Sequence, residues 1–114
     1  MDGCIFCRVA DGTAPARILF QDEEVVAFHD ITPRAPVHVL VIPRRHITSL
    51  ASAGDDDRRL LGTLVAAAAE AARRTGVAET GYRVVTNVGA RAGQSVLHLH
   101  LHVLGGRTLG WPPG

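Results

Sequence analysis

Three histidines alternate with apolar residues in the run His98-Leu99-His100-Leu101-His102-Val103-Leu104. A β-strand turns successive side chains to opposite faces, so a period of two puts all three imidazoles on one face. Leu99, Leu101 and Val103 then point the other way, into a core. The chain must therefore build a sheet with a dry side and a chemically active side. Half of its six histidines are gathered in this strip. Imidazole is the side chain best suited to proton transfer, nucleophilic attack and metal binding near neutral pH. Burying three without partners would be costly.

The 114 residues suit one domain with one core. No run approaches the roughly 18 apolar residues of a membrane span. The start Met1-Asp2-Gly3-Cys4 lacks the basic and apolar segments of a signal peptide, so a cytoplasmic location is expected. A net charge of +1 leaves no electrostatic footprint for nucleic acid or a membrane surface. All the basic residues are arginine, which together with the abundance of Ala and Gly suggests the codon bias of a GC-rich bacterial genome rather than a function.

Ile5 to Ala10 fits a short helix ended by Asp11-Gly12. Arg17–Gln21 and Val25–Asp30 read as strands of a hairpin, with the turn at Asp22-Glu23. Val37–Ile42 is a β-branched third strand stopped by Pro43. Asp55-Asp56-Asp57 reads as a helix start, where acidic residues favour the positive end of the helix dipole. That helix runs through Leu60, Leu61, Leu64, Val65, Ala68 and Ala72 to Arg73-Arg74, with Gly76 as its stop. Tyr82–Asn87 is a fourth strand. The loop Val88–Ser95 feeds the histidine strand, and Gly93-Gln94-Ser95 can offer backbone amides to a phosphate. Trp111-Pro112-Pro113-Gly114 is a stiff tail suited to lying on a surface or a partner subunit.

Clustered histidines serve three chemistries. A catalytic metal is one, although alternate strand residues about 6.6–7 Å apart make one ion shared by His98 and His102 difficult. Nucleophilic attack on phosphorus by the central His100, with a histidine on either side, is the second. Phosphate binding without turnover is the third. Outside the strip, His38 opens the third strand and is a candidate for the same face. Cys4 and Cys7 form a CxxC pair, read as half a metal site or as two unligated thiols. His46 is either a solvated loop residue or their partner. Asp30, beside His29, either accepts from two ribose hydroxyls or caps the turn before Pro33. Phe6 and Phe28 are core residues, or walls of a slot for a flat base.

Taken together, these segments resemble the histidine triad (HIT) family. His98–Leu104 matches its His-x-His-x-His signature. Ala27-Phe-His-Asp-Ile31, Ala35-Pro-Val-His38, Leu40-Val-Ile-Pro43, Asn87, Gly93-Gln-Ser95, Leu104-Gly-Gly-Arg107 and Trp111-Pro-Pro-Gly114 resemble its Hint branch, the purine nucleoside phosphoramidases, over essentially the whole chain.

The resemblance implies an α+β fold. A five-stranded antiparallel sheet carries one main helix and a short N-terminal helix, and two subunits join into a ten-stranded sheet. It implies hydrolysis of purine nucleotide phosphoramidates through a nucleotidyl-His100 intermediate. A broader nucleotidyl hydrolase and a non-catalytic nucleotide-binding module are the alternatives. His102 and His38 match residues around the phosphate, and the His98 carbonyl would orient His100. Ser95 matches the residue near the leaving nitrogen. Asp30 would hold the ribose, and Phe6, Phe28, His29 and Ile31 would border the base. Asn87, Gly93 and Gln94 would contact ribose and phosphate. Hydrolysis needs no metal in this family. Some bacterial members with a CxxC pair bind zinc, and the corresponding ligands here are Cys4, Cys7, His46 and His98. A Cys2His2 set would close a tetrahedral structural site.

Overall fold

A computed structural model describes residues 3–114; the Met1-Asp2 part of the chain start discussed above lies outside the described residues. The fold is a five-stranded antiparallel sheet with one long and one short helix. Helix α1 spans Ile5–Ala10, followed by strands β1 (Ile18–Gln21), β2 (Val25–His29) and β3 (Val37–Pro43). Helix α2 (Arg58–Thr75), β4 (Tyr82–Val85) and β5 (Leu101–Gly105) complete it. The strand order is β1-β2-β3-β5-β4.

The β1–β2 hairpin closes where Asp22 expects it. Its carboxylate accepts from the backbone amides of Glu24 and Val25 at 2.8 and 2.9 Å, a local turn bond typical of Asp. Residues 55–57 form a 3-10 turn ahead of α2 rather than its first α-helical turn. The Asp57 side chain accepts there from the Gly54 amide at 2.8 Å, which fixes the chain's entry into the helix. Gly76 ends α2 at φ +83°, a left-handed conformation that costs glycine little.

The sheet has two faces and a core on each. Beneath α2 pack Val25, Ala27, Val39, Val41, Leu99, Leu101 and Val103, against Leu64, Ala67, Ala68, Ala71 and Ala72 of the helix. The alanines keep the helix close to the sheet, so its buried stripe is narrow and dense. Close approach also governs the end of β5. A Cβ on Gly105 would stand 2.8 Å from the side chain of Val77, so only glycine fits there without a shift. On the other face Phe6, Val9 and Ala14 pack against Val26, Phe28, Leu40 and Ile42. Helix α1 covers only one end of this second face. The histidines lie beside it, and Leu104, Arg83 and Val85 share the face farther along.

No helix among the described residues is long and apolar enough to cross a membrane.

Candidate active site

Leu99, Leu101 and Val103 do face α2, and the imidazoles do face away from it. The strand itself is shorter than its pattern implies. Regular pairing begins only at Leu101; residues 96–98 form a bend, and 99–100 run outside the ladder ahead of β5. Two specific bonds hold them there. The Leu99 amide donates to the Ile47 carbonyl at 2.6 Å, and the Thr86 hydroxyl donates to the His100 carbonyl at 2.8 Å. Each of the three rings has its own set of partners.

His98 is fully buried, at 0% exposure. Its Nε2–H donates to the Pro43 carbonyl at 2.8 Å, so its Nδ1 keeps a lone pair. That nitrogen lies 3.3 Å from Cys4 Sγ and 3.5 Å from Cys7 Sγ, and His46 Nδ1 lies 3.3 Å from Cys7 Sγ. The four donor atoms all fall within 4.8 Å of one another. Zinc bonds of about 2.3 Å to sulfur and 2.0 Å to nitrogen put tetrahedral S···N edges near 3.5 Å. The cluster therefore has the size and the donor chemistry of a Cys2His2 zinc site. Burial and the neighbouring Cys4 push the Cys7 thiol up, whereas a bound cation would favour the thiolate.

His100 sits in the middle. Its Nδ1–H donates to the His98 carbonyl at 2.7 Å, which leaves the Nε2 lone pair unused. The Phe6 ring meets it edge-on with centroids 5.1 Å apart. The His102 ring lies 4.9 Å away on the other side.

His102 belongs to a directed chain of hydrogen bonds. The Arg34 amide donates to His38 Nδ1 at 3.0 Å. Neutral His38 must then carry its proton on Nε2, which donates to His102 Nδ1 at 2.9 Å. The proton of His102 is thereby placed on Nε2. That atom is buried and has no hydrogen-bond partner among the described residues. Burial, followed by the neighbouring His100 and His38, pushes His102 down to about 4. Burial also lowers His38, although Asp30 opposes the shift. Both rings are neutral at pH 7, as the chain requires. Asp30 Oδ2 lies 3.4 Å from His38 Nε2, while its Oδ1 is held by the Thr32 amide at 2.8 Å. Asp30, His38 and His102 are close enough together to suggest a second metal set. The Arg34 amide argues against it, because it occupies one His38 nitrogen and commits the other to a proton.

The remaining candidates lie around this centre in different ways. Ile31, next to Asp30, is 95% exposed, unusual for an isoleucine. Phe6 and Phe28 are buried against each other at 5.5 Å and form the floor beneath the rim. His29 departs from expectation. It follows Val25 and Ala27 in the alternation of β2, so its side chain lies on the α2 side of the sheet, away from the triad. Asn87 is half-buried just beyond β4, and Ser95 is exposed. Gly93 takes φ +88°. The Gln94 side chain accepts from the Gly89 amide at 2.9 Å and donates to the Thr48 and Val96 carbonyls at 2.8 and 3.1 Å. It braces the loop from inside, leaving the backbone of 93–95 as the part able to meet a ligand. A surface hollow of about 620 Å³ between His46 and the acidic turn at 54–57 is lined by none of the triad.

Three contributors escaped the sequence: the Arg34 amide, the Pro43 carbonyl and the Thr86 hydroxyl. The first two are backbone groups that every non-proline or every residue carries, so no side-chain pattern marks them. Thr86 offers only a β-favouring residue in a strand-like segment.

The HIT domain model matches residues 11–109. An uncharacterized HIT-like protein of Synechocystis sp. is 46% identical over 110 residues, covering 96% of each chain. The crystal structure of a HIT family hydrolase from Legionella pneumophila superposes with a TM-score of 0.96 at 46% identity, covering 98% of this chain and 100% of that one. A HIT family hydrolase from Clostridium thermocellum gives a TM-score of 0.94 at 43% identity over 96% of each chain. The chain belongs to the HIT domain family.

Proposed function

We propose that this protein is a hydrolase that cleaves purine nucleoside phosphoramidates through a covalent nucleotidyl-His100 intermediate. The observation that carries the reading is the pairing of two imidazoles in opposite states. His100 presents a lone pair at Nε2, and His102 beside it presents an unpartnered N–H. One attacks phosphorus and the other donates to a phosphate oxygen. In the first step a bond forms between Nε2 and phosphorus, and the phosphorus–nitrogen bond breaks. The amine departs with a proton relayed through the Ser95 hydroxyl from solvent. Water then attacks phosphorus and gives up a proton to solvent, the histidine–phosphorus bond breaks to return neutral His100, and the nucleoside monophosphate leaves. Splitting one displacement into two is the ordinary advantage of a covalent nucleophile. The His98 carbonyl stabilises the positive charge that His100 acquires on attack. Two similar proteins carry the name HIT family hydrolase, which agrees with hydrolysis as the reaction class.

Asp30 Oδ2 accepts from the ribose hydroxyls, and the exposed Ile31 covers the purine above Phe6 and Phe28. Asn87 and the backbone of Gly93, Gln94 and Ser95 contact ribose and phosphate. His29 contributes only through its backbone. Cys4, Cys7, His46 and His98 hold zinc, which cross-links the N-terminal segment to the triad. Two copies pair along β4, the outer strand on its side of the sheet. Tyr82 and Val84 are exposed there, and Arg83 lies over the Trp111 ring at 5.9 Å.

Release of amine from a fluorogenic adenosine phosphoramidate, wild type against His100→Ala, tests the reaction. Turnover lost with the imidazole supports it. A wild type that binds AMP but releases no amine would overturn it.

A further inference from the structure

Helix α1 carries Cys4 at its N-cap, Cys7 one turn later, and Phe6 between them. With six residues it is too short to hold its shape in isolation, so its position depends on tertiary ties. Its C-terminal end is tied by Arg44, whose guanidinium donates to the Ala10 carbonyl. The ties at its N-terminal end run through the two sulfurs to His98 and His46. Both routes from this cluster lead to His100. His98 offers its side chain to the sulfurs and its carbonyl to His100 Nδ1–H. Phe6 packs on the His98 ring at 6.0 Å and on the His100 ring at 5.1 Å.

We propose that metal bound by Cys4, Cys7, His46 and His98 positions the nucleophile, setting the His100 ring through the His98 carbonyl and the Phe6 ring edge. The inference rests on His100 being the nucleophile. Without an ion, His98 Nδ1 faces only two thiols, which are weak donors, and the first turn of α1 is held by the packing of Phe6 rather than by any strong polar tie. With an ion, His98 is held at both ring nitrogens and its backbone cannot drift. A purely architectural metal, by contrast, would stabilise the fold and leave the His100 ring unaffected by its removal. Misplacing a reacting atom by about 1 Å can cost about a hundredfold in rate, so a small relaxation at His100 is enough to be seen.

The test compares wild type loaded with Zn2+, the same protein after chelation, His46→Ala and His46→Cys. His46 is a ligand that does not touch the nucleophile; its ring meets that of His98 edge-on at 4.9 Å, a contact that chelation of the wild type leaves in place. Cysteine in its place preserves a four-ligand zinc set. Zinc content, circular dichroism, AMP affinity, the nitrogen NMR signals of the His100 ring, and kcat and KM on the fluorogenic phosphoramidate are read together. The expected result is a folded, zinc-free His46→Ala that loses the protected His100 Nδ1–H signal. Its kcat should fall by about tenfold or more, with KM changed by less than about threefold. Added Zn2+ restores both in the chelated wild type, and His46→Cys retains both. Folded zinc-free protein that keeps the His100 signal and its kcat overturns the proposal. Should His46→Ala not fold, Phe6→Leu with zinc retained takes its place: an unchanged His100 signal there counts against the proposal, and a broadened one for it. Absence of turnover in the zinc-loaded wild type would refute the hydrolase reading instead, and the NMR comparison would still decide the coupling.

Discussion

Removing the titrating ring of His102 should flatten the acid side of the stability profile. An imidazole in the unfolded chain takes up its proton near 6.5, whereas burial holds His102 at about 4 in the folded state. Between those values the unfolded state binds more protons, so acidification favours unfolding. His102 therefore contributes stability that is fully present above 6.5 and is lost as the pH falls through about 4. From pH 7 to pH 5 the loss integrates to about 2 kcal/mol for this one group. His38 is also lowered by burial and acts in the same direction. The lowered carboxylates Asp11, Asp22, Glu24 and Glu70 start from ordinary values of 3.8 to 4.5, so they act below the chosen window. The assay is urea unfolding of wild type and His102→Gln at half-unit steps from pH 7.5 to 5. Glutamine can still accept from His38 Nε2–H, which preserves the chain of bonds while removing the titration. Both proteins are unfolded in urea after chelation, so metal release in acid does not enter the difference. The wild type should lose about 2 kcal/mol more than the variant between pH 7 and 5, a difference of about 1–2 M in urea midpoint. Parallel profiles would refute the claim that His102 is held neutral by its burial.

Other substitutions probe other parts of the molecule. His100→Ala should abolish amine release and, with it, any nucleotidyl adduct seen by intact mass after rapid acid quench; an adduct that survives places the nucleophile elsewhere. Asp30→Ala should cost the ribonucleotide about 1.5–3 kcal/mol of affinity but the 2′-deoxynucleotide much less, and equal losses would remove the ribose contact. Leu64→Ala, cut from the centre of the α2 core, should lower unfolding free energy by about 2–5 kcal/mol in denaturant, whereas a change below about 1 kcal/mol would mean that the helix packs differently. Gly105→Ala should destabilise through its clash with Val77, and adding Val77→Ala should recover part of the loss; strictly additive losses would show that the two do not meet.

Much of this architecture is legible from side-chain pattern. The α2 stripe, its Gly76 stop, the β1–β2 hairpin and the two-faced histidine segment follow from periodicity and turn chemistry. The HIT resemblance supplies the order in which they assemble. Four features escaped pattern for physical reasons. The alternation at 98–104 marks the faces correctly but not the backbone, because irregular chain held by Ile47 and Thr86 can alternate its side chains just as a strand does. His29 sits beside Asp30 in sequence, yet one step along a strand is a change of face. The proton positions on His38 and His102 are set by the amide of Arg34, and a backbone donor leaves no trace in a string of side chains. The cysteine pair was ambiguous for a related reason: its two partners lie 39 and 91–94 residues away, brought together only by the finished sheet.

The segment that bears Leu99, Leu101 and Val103 on one side and His98, His100 and His102 on the other joins folding to chemistry. A slip of one residue in its placement would drive three imidazoles into the alanine-lined core under α2 and turn three aliphatic side chains out toward the phosphate site. Such a misfold loses its catalytic groups and its buried apolar surface in the same event. Folded but chemically silent forms of this kind are therefore too unstable to accumulate. In a metal-loaded preparation of this protein, register-slipped molecules should therefore be missing from the fraction that resists unfolding.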